Sequence, residues 1–245
     1  MSEPKPALYD AIAGLYDDWS ESVIEDVEFY VEQALAAGGP MVELAVGTGR
    51  IAVPVAKAGI DVIGIDESPG MLAVAGRYAE QEGVADRLDL RLGDIRMPPV
   101  AERVPLVTIP FRSLLHLPTN AEKLRALGAA AALLEPGGRV VFDVFAPSEE
   151  DIAETNGVWL EREPEIFERA DWDRATSTLR LSVRRGEEAT SFTLHWLEAP
   201  SWRALIANAG LEVEAVYGWF DGRPWAGGED MVWVCRRVDD GRAGP

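Results

Sequence analysis

The sequence predicts an α/β fold: a seven-stranded, mostly parallel sheet with helices on both faces, plus an antiparallel β meander inserted after the fifth strand. Three observations predict it. Short apolar runs alternate with helical patterns through the first 150 residues, the pattern of parallel strands joined by right-handed crossovers. A glycine-rich turn, Gly47-Thr48-Gly49, follows the first apolar run directly and opens a helix. Beyond residue 150 the texture changes to period-two alternation, and seven of the eight tryptophans lie there.

The first strand is the run 41–46, apolar except for Glu43. Residues 50–57 read as a helix closed by Gly59, and 61–66 (DVIGID) as the second strand. Ser68 and Pro69, a cap followed by a first-turn proline, open a helix to about residue 82. Residues 88–92 and 104–110 are the third and fourth strands. Thr119 and Glu122 form a capping box ahead of an Ala/Leu helix that ends at 134. The turn Glu135-Pro136-Gly137-Gly138 leads into the fifth strand, 139–144. In the meander, 166–172, 178–184 and 190–197 alternate with period two, separated by turn residues such as Arg185-Gly186. A helix at 201–209, stopped by Gly210, resumes the α/β pattern, and strands 212–219 and 231–236 complete the sheet. Two helical stretches, 8–19 and 23–37, precede the first strand. The expected organisation is an N-terminal helical segment (1–40), a sheet core (41–150), the β insertion (151–200) and a segment completing the core sheet (201–245).

The chain has 245 residues, enough for one large domain or one domain with an insertion at about 150 residues per domain. Hydrophobic residues at 47% and charged residues at 27% exclude gross disorder. With 23 basic and 42 acidic residues the net charge is −19, and the basic residues cluster only in pairs (Arg184-Arg185, Arg236-Arg237). Such a surface repels phosphate backbones and anionic membranes, so neither is expected as a partner. The single cysteine, Cys235, excludes a disulfide framework and a multi-cysteine metal site, and no metal is expected. No uncharged run approaches the ~20 apolar residues of a membrane span. The N-terminus, MSEPKPALYD, has no apolar h-region, which predicts a cytoplasmic protein. A monomer or homodimer is expected.

The chemistry lies in the turn after the first strand. Glycines at 47 and 49 let a backbone lie against a ligand where a Cβ would clash. Asp66, at the end of the second strand, can accept hydrogen bonds from both ribose hydroxyls of an adenosine. A dinucleotide site needs a third small residue so that pyrophosphate can sit on the helix N-terminus, and Ala52 meets that spacing. Glu43, however, places a carboxylate at the turn, where it opposes pyrophosphate and favours the α-ammonium of an amino-acid moiety. The charge argument therefore selects S-adenosylmethionine over NAD.

In these segments the sequence resembles the class I S-adenosylmethionine-dependent methyltransferases, of small-molecule type. VELAVGTGR is similar to their first motif, with Ala45 where the commonest form has glycine. GIDESPGML resembles the second, which implies Asp66 and Glu67 at the ribose and Met71 beside the adenine. LRLGDIRMP resembles the third, with Gly93 and Asp94 at the adenine amino group and Ile95 on the ring. VTIPFRSLLHL resembles the fourth-strand motif, which places Pro110 by the methionine part, and LEPGGRVVFDVF the fifth. The resemblance covers about residues 41–146 and implies a Rossmann-like sheet and S-adenosylmethionine as cofactor. It also implies that 1–40 acts as a helical lid, with Tyr16 on the cofactor and Tyr9, seven residues away on the same helical face, toward the substrate.

The expected activity is methyl transfer to a nitrogen or oxygen of a small molecule. No Asn/Asp-Pro-Pro-Tyr/Phe segment for exocyclic base amines occurs, and Cys235 lies in the last strand, away from a role as nucleophile. His116, beyond the fourth strand, is the candidate general base because imidazole titrates near neutral pH. Arg112 is a candidate anchor for a carboxylate, and Trp219 a candidate wall of the substrate pocket, with Trp225 beside it. Two alternatives stand beside this reading: a non-catalytic S-adenosylmethionine-binding module, and an NAD-dependent oxidoreductase.

Overall fold

The computed structural model describes residues 24–238. Helix α1 (Glu25–Ala37) is followed by β1 (Met41–Leu44), α2 (Ala52–Lys57), β2 (Val62–Asp66), α3 (Pro69–Gln81), β3 (Leu88–Leu92) and β4 (Val104–Ile109). A 3-10 turn at Ser113–His116 leads to α4 (Asn120–Ala132) and β5 (Leu134–Phe145). Then come α5 (Glu149–Thr155), the four strands β6 (Trp159–Glu163), β7 (Ile166–Asp173), β8 (Thr178–Arg185) and β9 (Glu188–His195), helix α6 (Ala199–Asn208), β10 (Leu211–Tyr217) and β11 (Asp230–Arg237).

The main sheet has the order β10-β11-β5-β4-β1-β2-β3. Strands β1 to β5 pair in parallel, and β11 runs antiparallel to both β5 and β10. The chain order reverses between β1 and β4, and a sheet of this kind opens a ligand crevice beyond the carboxyl ends of the strands at that reversal. The caps that start the flanking helices are those read from the sequence. Ser68 Oγ accepts the Met71 amide at 3.0 Å, and Thr119 Oγ1 both accepts the Glu122 amide at 3.2 Å and donates to its Oε2 at 2.8 Å.

Each face of the sheet is buried. On one side Phe29 and Tyr30 of α1 and Ala52 and Val55 of α2 pack on Met41, Leu106 and Val141. On the other, Leu127 and Ala130 of α4 and Trp202 and Leu205 of α6 pack on Val107, Val140 and Phe142. The antiparallel sheet, in the order β6-β7-β8-β9, joins this second core through Leu179, Phe192 and Leu194. Trp172 of β7 meets the Phe145 ring edge-on, with centroids 6.0 Å apart.

Four elements depart from the sequence reading. Strand β5 begins at Leu134, so the expected Pro-Gly-Gly turn lies inside its irregular first half. Helix α5 is an addition, capped by Ser148, whose Oγ accepts the Asp151 amide at 3.0 Å. Strand β6 is the other addition; four of its five residues are exposed, so it shows no alternation to read. Strand β10 ends at Tyr217, which places Trp219 in the loop after it.

Candidate active site

A cavity of about 870 Å³ opens beyond the carboxyl ends of β1, β2, β4 and β5 and is walled on the far side by the meander. That volume lies in the range of small-ligand sites. It has two halves, and their construction differs.

The first half is made of turns. Ala45, Gly47, Asp66, Glu67, Met71, Gly93, Asp94 and Ile95 all line it, as the sequence motifs imply. Asp66 Oδ2 accepts the Gly47 amide at 2.9 Å and Oδ1 accepts the Ser68 amide at 2.9 Å. These bonds tie the loops after β1 and β2 together and fix the orientation of the carboxylate. Gly47 has φ +56°, and a Cβ built on it would meet no atom within 4 Å. The empty space beside a backbone amide, with an oriented acid next to it, fits an adenosyl group. Ala45 has φ +62°, so the departure from glycine carries backbone strain as well as bulk, about 1–2 kcal/mol for a left-handed alanine.

Three expected cofactor contacts do not line the cavity: Glu43, Gly49 and Pro110. Glu43 is buried on the same sheet face as Met41, toward α1, and not at the turn's outer surface. Burial pushes its carboxyl well above the usual range; Arg50 opposes that, while Asp26 and Asp66 add to it. Its Oε2 and the Oγ1 of Thr108, its register partner on β4, are both buried with no hydrogen-bond partner among the described residues. The ammonium contact expected of Glu43 is therefore not provided by this geometry. Gly49 serves packing: a Cβ there would lie 3.2 Å from Val53 Cγ2 and 3.3 Å from the Ala75 Cβ.

Asp94 lines the cavity with its carboxylate already engaged. The Arg96 amide, Nε and Nη2 donate to it at 2.8, 2.9 and 2.5 Å, and Arg96 Nη1 reaches Glu122 Oε1 at 2.5 Å. The Arg96 bond holds the Asp94 carboxyl below the usual carboxylate range. Arg96 escaped the sequence reading although it lies within the third motif.

The second half is assembled from distant elements. Phe111, Arg112, Ser113 and His116 come from the chain after β4, Asp143 and Phe145 from β5, and Asp230 to Val232 from β11. The apolar wall is Ala170 and Trp172 of β7, Leu181 of β8, and Phe192 and Leu194 of β9. Arg112 Nη2 donates to Asp230 Oδ1 at 3.0 Å, and its guanidinium lies 4.8 Å from the Phe145 ring centroid, so its carboxylate partner belongs to this chain. Trp219 lines the cavity and meets Phe220 edge-on at 5.3 Å. Trp225 does not; its Nε1 donates to the Gly228 carbonyl at 2.8 Å. Tyr9 and Tyr16 lie outside the described residues.

His116 lines the cavity with its ring 5.3 Å from that of Phe192. Burial, then the neighbouring Lys123 and His195, push its pKa down to about 4. The near-neutral titration expected of it is thus removed by its surroundings. Lys123 is itself buried and donates to the Leu117 carbonyl, with its pKa lowered to about 8 by burial.

Asp143 was not singled out from the sequence. Its signal was the same as that of Glu43, an acid within an apolar strand. Burial, opposed by its bond from Tyr30, raises its pKa to about 6. Charge across the whole cavity is one-sided, with eleven carboxylate side chains against three arginines. Burial and repulsion from Glu229 raise the Asp151 carboxyl above the usual range. Among the described residues no group of three or more His, Cys, Asp or Glu is placed to hold a metal ion.

Residues 41–138 match the family described as a methyltransferase domain. The match identifies residues 41–138 as a methyltransferase domain, the sheet order and the cavity at the strand ends fit it, and S-adenosylmethionine is the cofactor of this domain. Among similar proteins, an uncharacterized methyltransferase of Geobacillus kaustophilus (strain HTA426) is 32% identical over 143 residues, covering 52% of this chain and 64% of that protein. The match thus spans less than two thirds of that relative's length. The CcbJ methyltransferase from Streptomyces caelestis superposes with a TM-score of 0.86 at 26% identity, covering 97% of this chain and 100% of that one. The S-adenosylmethionine-bound CalS10, an amino pentose methyltransferase from Micromonospora echinaspora, gives 0.65 at 21% identity, covering 97% and 100%. At that identity the likeness is one of fold.

Proposed function

We propose that the chain transfers the methyl group of S-adenosylmethionine to an amino nitrogen of a small molecule that carries no phosphate. The observation that carries this reading is the cavity's charge, eleven carboxylates against three arginines, beside an apolar wall. Such a cavity attracts an ammonium and repels a phosphate before any contact forms.

When bound, the cofactor supplies an already activated methyl group, so alignment is the chain's main contribution. Gly47 and Asp66 hold the adenosyl end, and the meander wall and Trp219 pack on the body of the acceptor. Asp151, Glu229 and Asp230 draw its ammonium to the side of Arg112. His116 is neutral at physiological pH and accepts a hydrogen bond from the acceptor amine. It does not take the proton outright. An ammonium with a lysine-like pKa of about 10 donating to a group near 4 faces about six units, roughly 8 kcal/mol. The ammonium loses its proton to water before transfer, because only the neutral amine has the lone pair that forms the new N–C bond as the S–C bond breaks. The protein works in the cytoplasm as a monomer or homodimer; most of the 1–40 segment expected as a lid lies outside the described residues.

The test is formation of S-adenosylhomocysteine with a panel of primary and secondary amines and their matched alcohols. Turnover is expected with amines. Cofactor binding without turnover on any of them favours a non-catalytic binding module, and binding of NAD as tight as that of S-adenosylhomocysteine rejects the cofactor assignment.

A further inference from the structure

We propose that Asp143, anchored by Tyr30, is a positioning residue that clamps the Phe111–Arg112 turn and thereby aligns the acceptor side of the cavity. Its catalytic consequence rests on the methyl transfer proposed above; the clamp itself is measurable without an acceptor.

Phe111 and Arg112 have φ +54° and +60°, two consecutive residues with side chains in the left-handed region. Residues in that conformation persist only where the surroundings over-determine them, and they concentrate at functional sites. Glycine at either place would remove the strain. The chain instead uses a buried acid. The Phe111 amide donates to Asp143 Oδ1 at 2.8 Å and the Arg112 amide to Oδ2 at 3.0 Å, so one carboxylate grips two successive N–H groups. Tyr30, wholly buried on α1, donates its hydroxyl to Oδ1 at 2.7 Å from 113 residues away in the chain. These are charge-assisted bonds, stronger than their neutral counterparts.

The turn is held from both sides by its side chains as well. The Arg50 guanidinium lies 4.6 Å from the Phe111 ring centroid and makes two bonds, 2.7 and 2.6 Å, to Asp26 on the same helix as Tyr30. Arg112 is fixed between Phe145 and Asp230. The residues immediately beyond the turn, Ser113 and His116, line the cavity. A turn that relaxed to ordinary φ values would therefore redirect both Arg112 and the His116 segment.

Three charged or titratable groups face Asp143: Tyr30 and Asp26 from α1, and Arg112 from the turn. Burial raises the carboxyl's pKa to about 6, whereas the Tyr30 hydroxyl favours its charged form. This gives the clamp a spectroscopic signature. In the full chain labelled with ¹⁵N, the Phe111 and Arg112 amide protons should lie downfield and titrate together near pH 6. Tyr30→Phe leaves the carboxylate in place, removes one donor to its charged form, and should move that midpoint to higher pH. Asp143→Asn should abolish the shared titration. With an acceptor, Asp143→Asn should lower kcat by roughly 10- to 100-fold and Tyr30→Phe by less. Affinity for S-adenosylhomocysteine should stay within about threefold in both variants. Amides that titrate independently, or a midpoint unmoved in Tyr30→Phe, overturn the clamp. Wild-type kcat in a folded Asp143→Asn variant overturns its positioning role. Absence of turnover in every form, with the titration present, rejects the methyl-transfer reading and leaves the clamp standing.

Discussion

The two halves of the cavity are encoded at different ranges. The cofactor half comes from three short segments, each spanning the end of a strand and the turn after it, and its polar contacts are between backbone amides and an acid about twenty residues away (Gly47 to Asp66). The acceptor half is convened from α1, the loop after β4, β5, the meander and β11, with a central contact that spans 113 residues. Local encoding makes the first half repeatable across proteins with different acceptors. Long-range encoding lets the second change without disturbing the first. Substitutions should therefore separate the halves: cofactor affinity should respond to the turns, and pH dependence to the distant contacts.

The largest effect is expected in the cofactor half. Asp66→Ala removes the acceptor for a ribose and also releases the Gly47 and Ser68 amides. At about 1.5–3 kcal/mol per charge-assisted bond, affinity for S-adenosylhomocysteine should fall roughly 100-fold or more by calorimetry. The variant's circular dichroism should be unchanged. If it binds the cofactor normally, the turn does not carry recognition.

The acceptor half should reveal itself by titration. His116 has a folded pKa of about 4 against 6.5, so the unfolded chain binds more protons between those values. That contribution is complete above pH 6.5 and is lost as pH falls through 4, about 3 kcal/mol in all. Asp143 has a folded pKa of about 6 against 3.8, so the sign reverses. Its contribution is complete below 3.8 and is lost as pH rises through 6, again about 3 kcal/mol. The two oppose each other over nearly the same window. Relative to the wild type, denaturation of His116→Gln should show stability falling as pH rises from 4 to 6, and Asp143→Asn should show it rising. Identical pH slopes in the two variants would break the distinction drawn here.

Much of this arrangement could be read from the chain. The seven main-sheet strands follow from short apolar runs, and the crevice from the Gly-Thr-Gly turn and Asp66, because each signal lies within one segment. What escaped was set by space. Strand β6 is exposed at Trp159 through Arg162 and so carries no alternation, and α5 is one short capped helix. Glu43 was recognised as an acid that needs a partner, but which face of β1 it occupies depends on sheet register and on α1. Asp143 and Tyr30 have no common segment to reveal them. His116 follows β4 in the chain and lines the cavity, whereas its pKa depends on burial and on Lys123 and His195, which only the fold brings near.

A smaller effect tests the cofactor half's one irregularity. Ala45→Gly relieves a left-handed alanine but also loosens the unfolded chain, so a net stabilisation of about 0.5–1 kcal/mol is expected by chemical denaturation. Glycine should leave cofactor affinity near that of the wild type. Destabilisation by Ala45→Gly would mean that the alanine methyl makes contacts worth more than the strain.

The central claim is that the acceptor half is built for an ammonium without phosphate. Competition between an amine that the protein methylates and the same amine bearing a phosphate, followed by S-adenosylhomocysteine formation at low and physiological salt, tests it most directly. The unphosphorylated amine should be preferred, and the preference should shrink as salt screens the carboxylates. A preference for the phosphorylated amine, or one that is indifferent to salt, would contradict the claim.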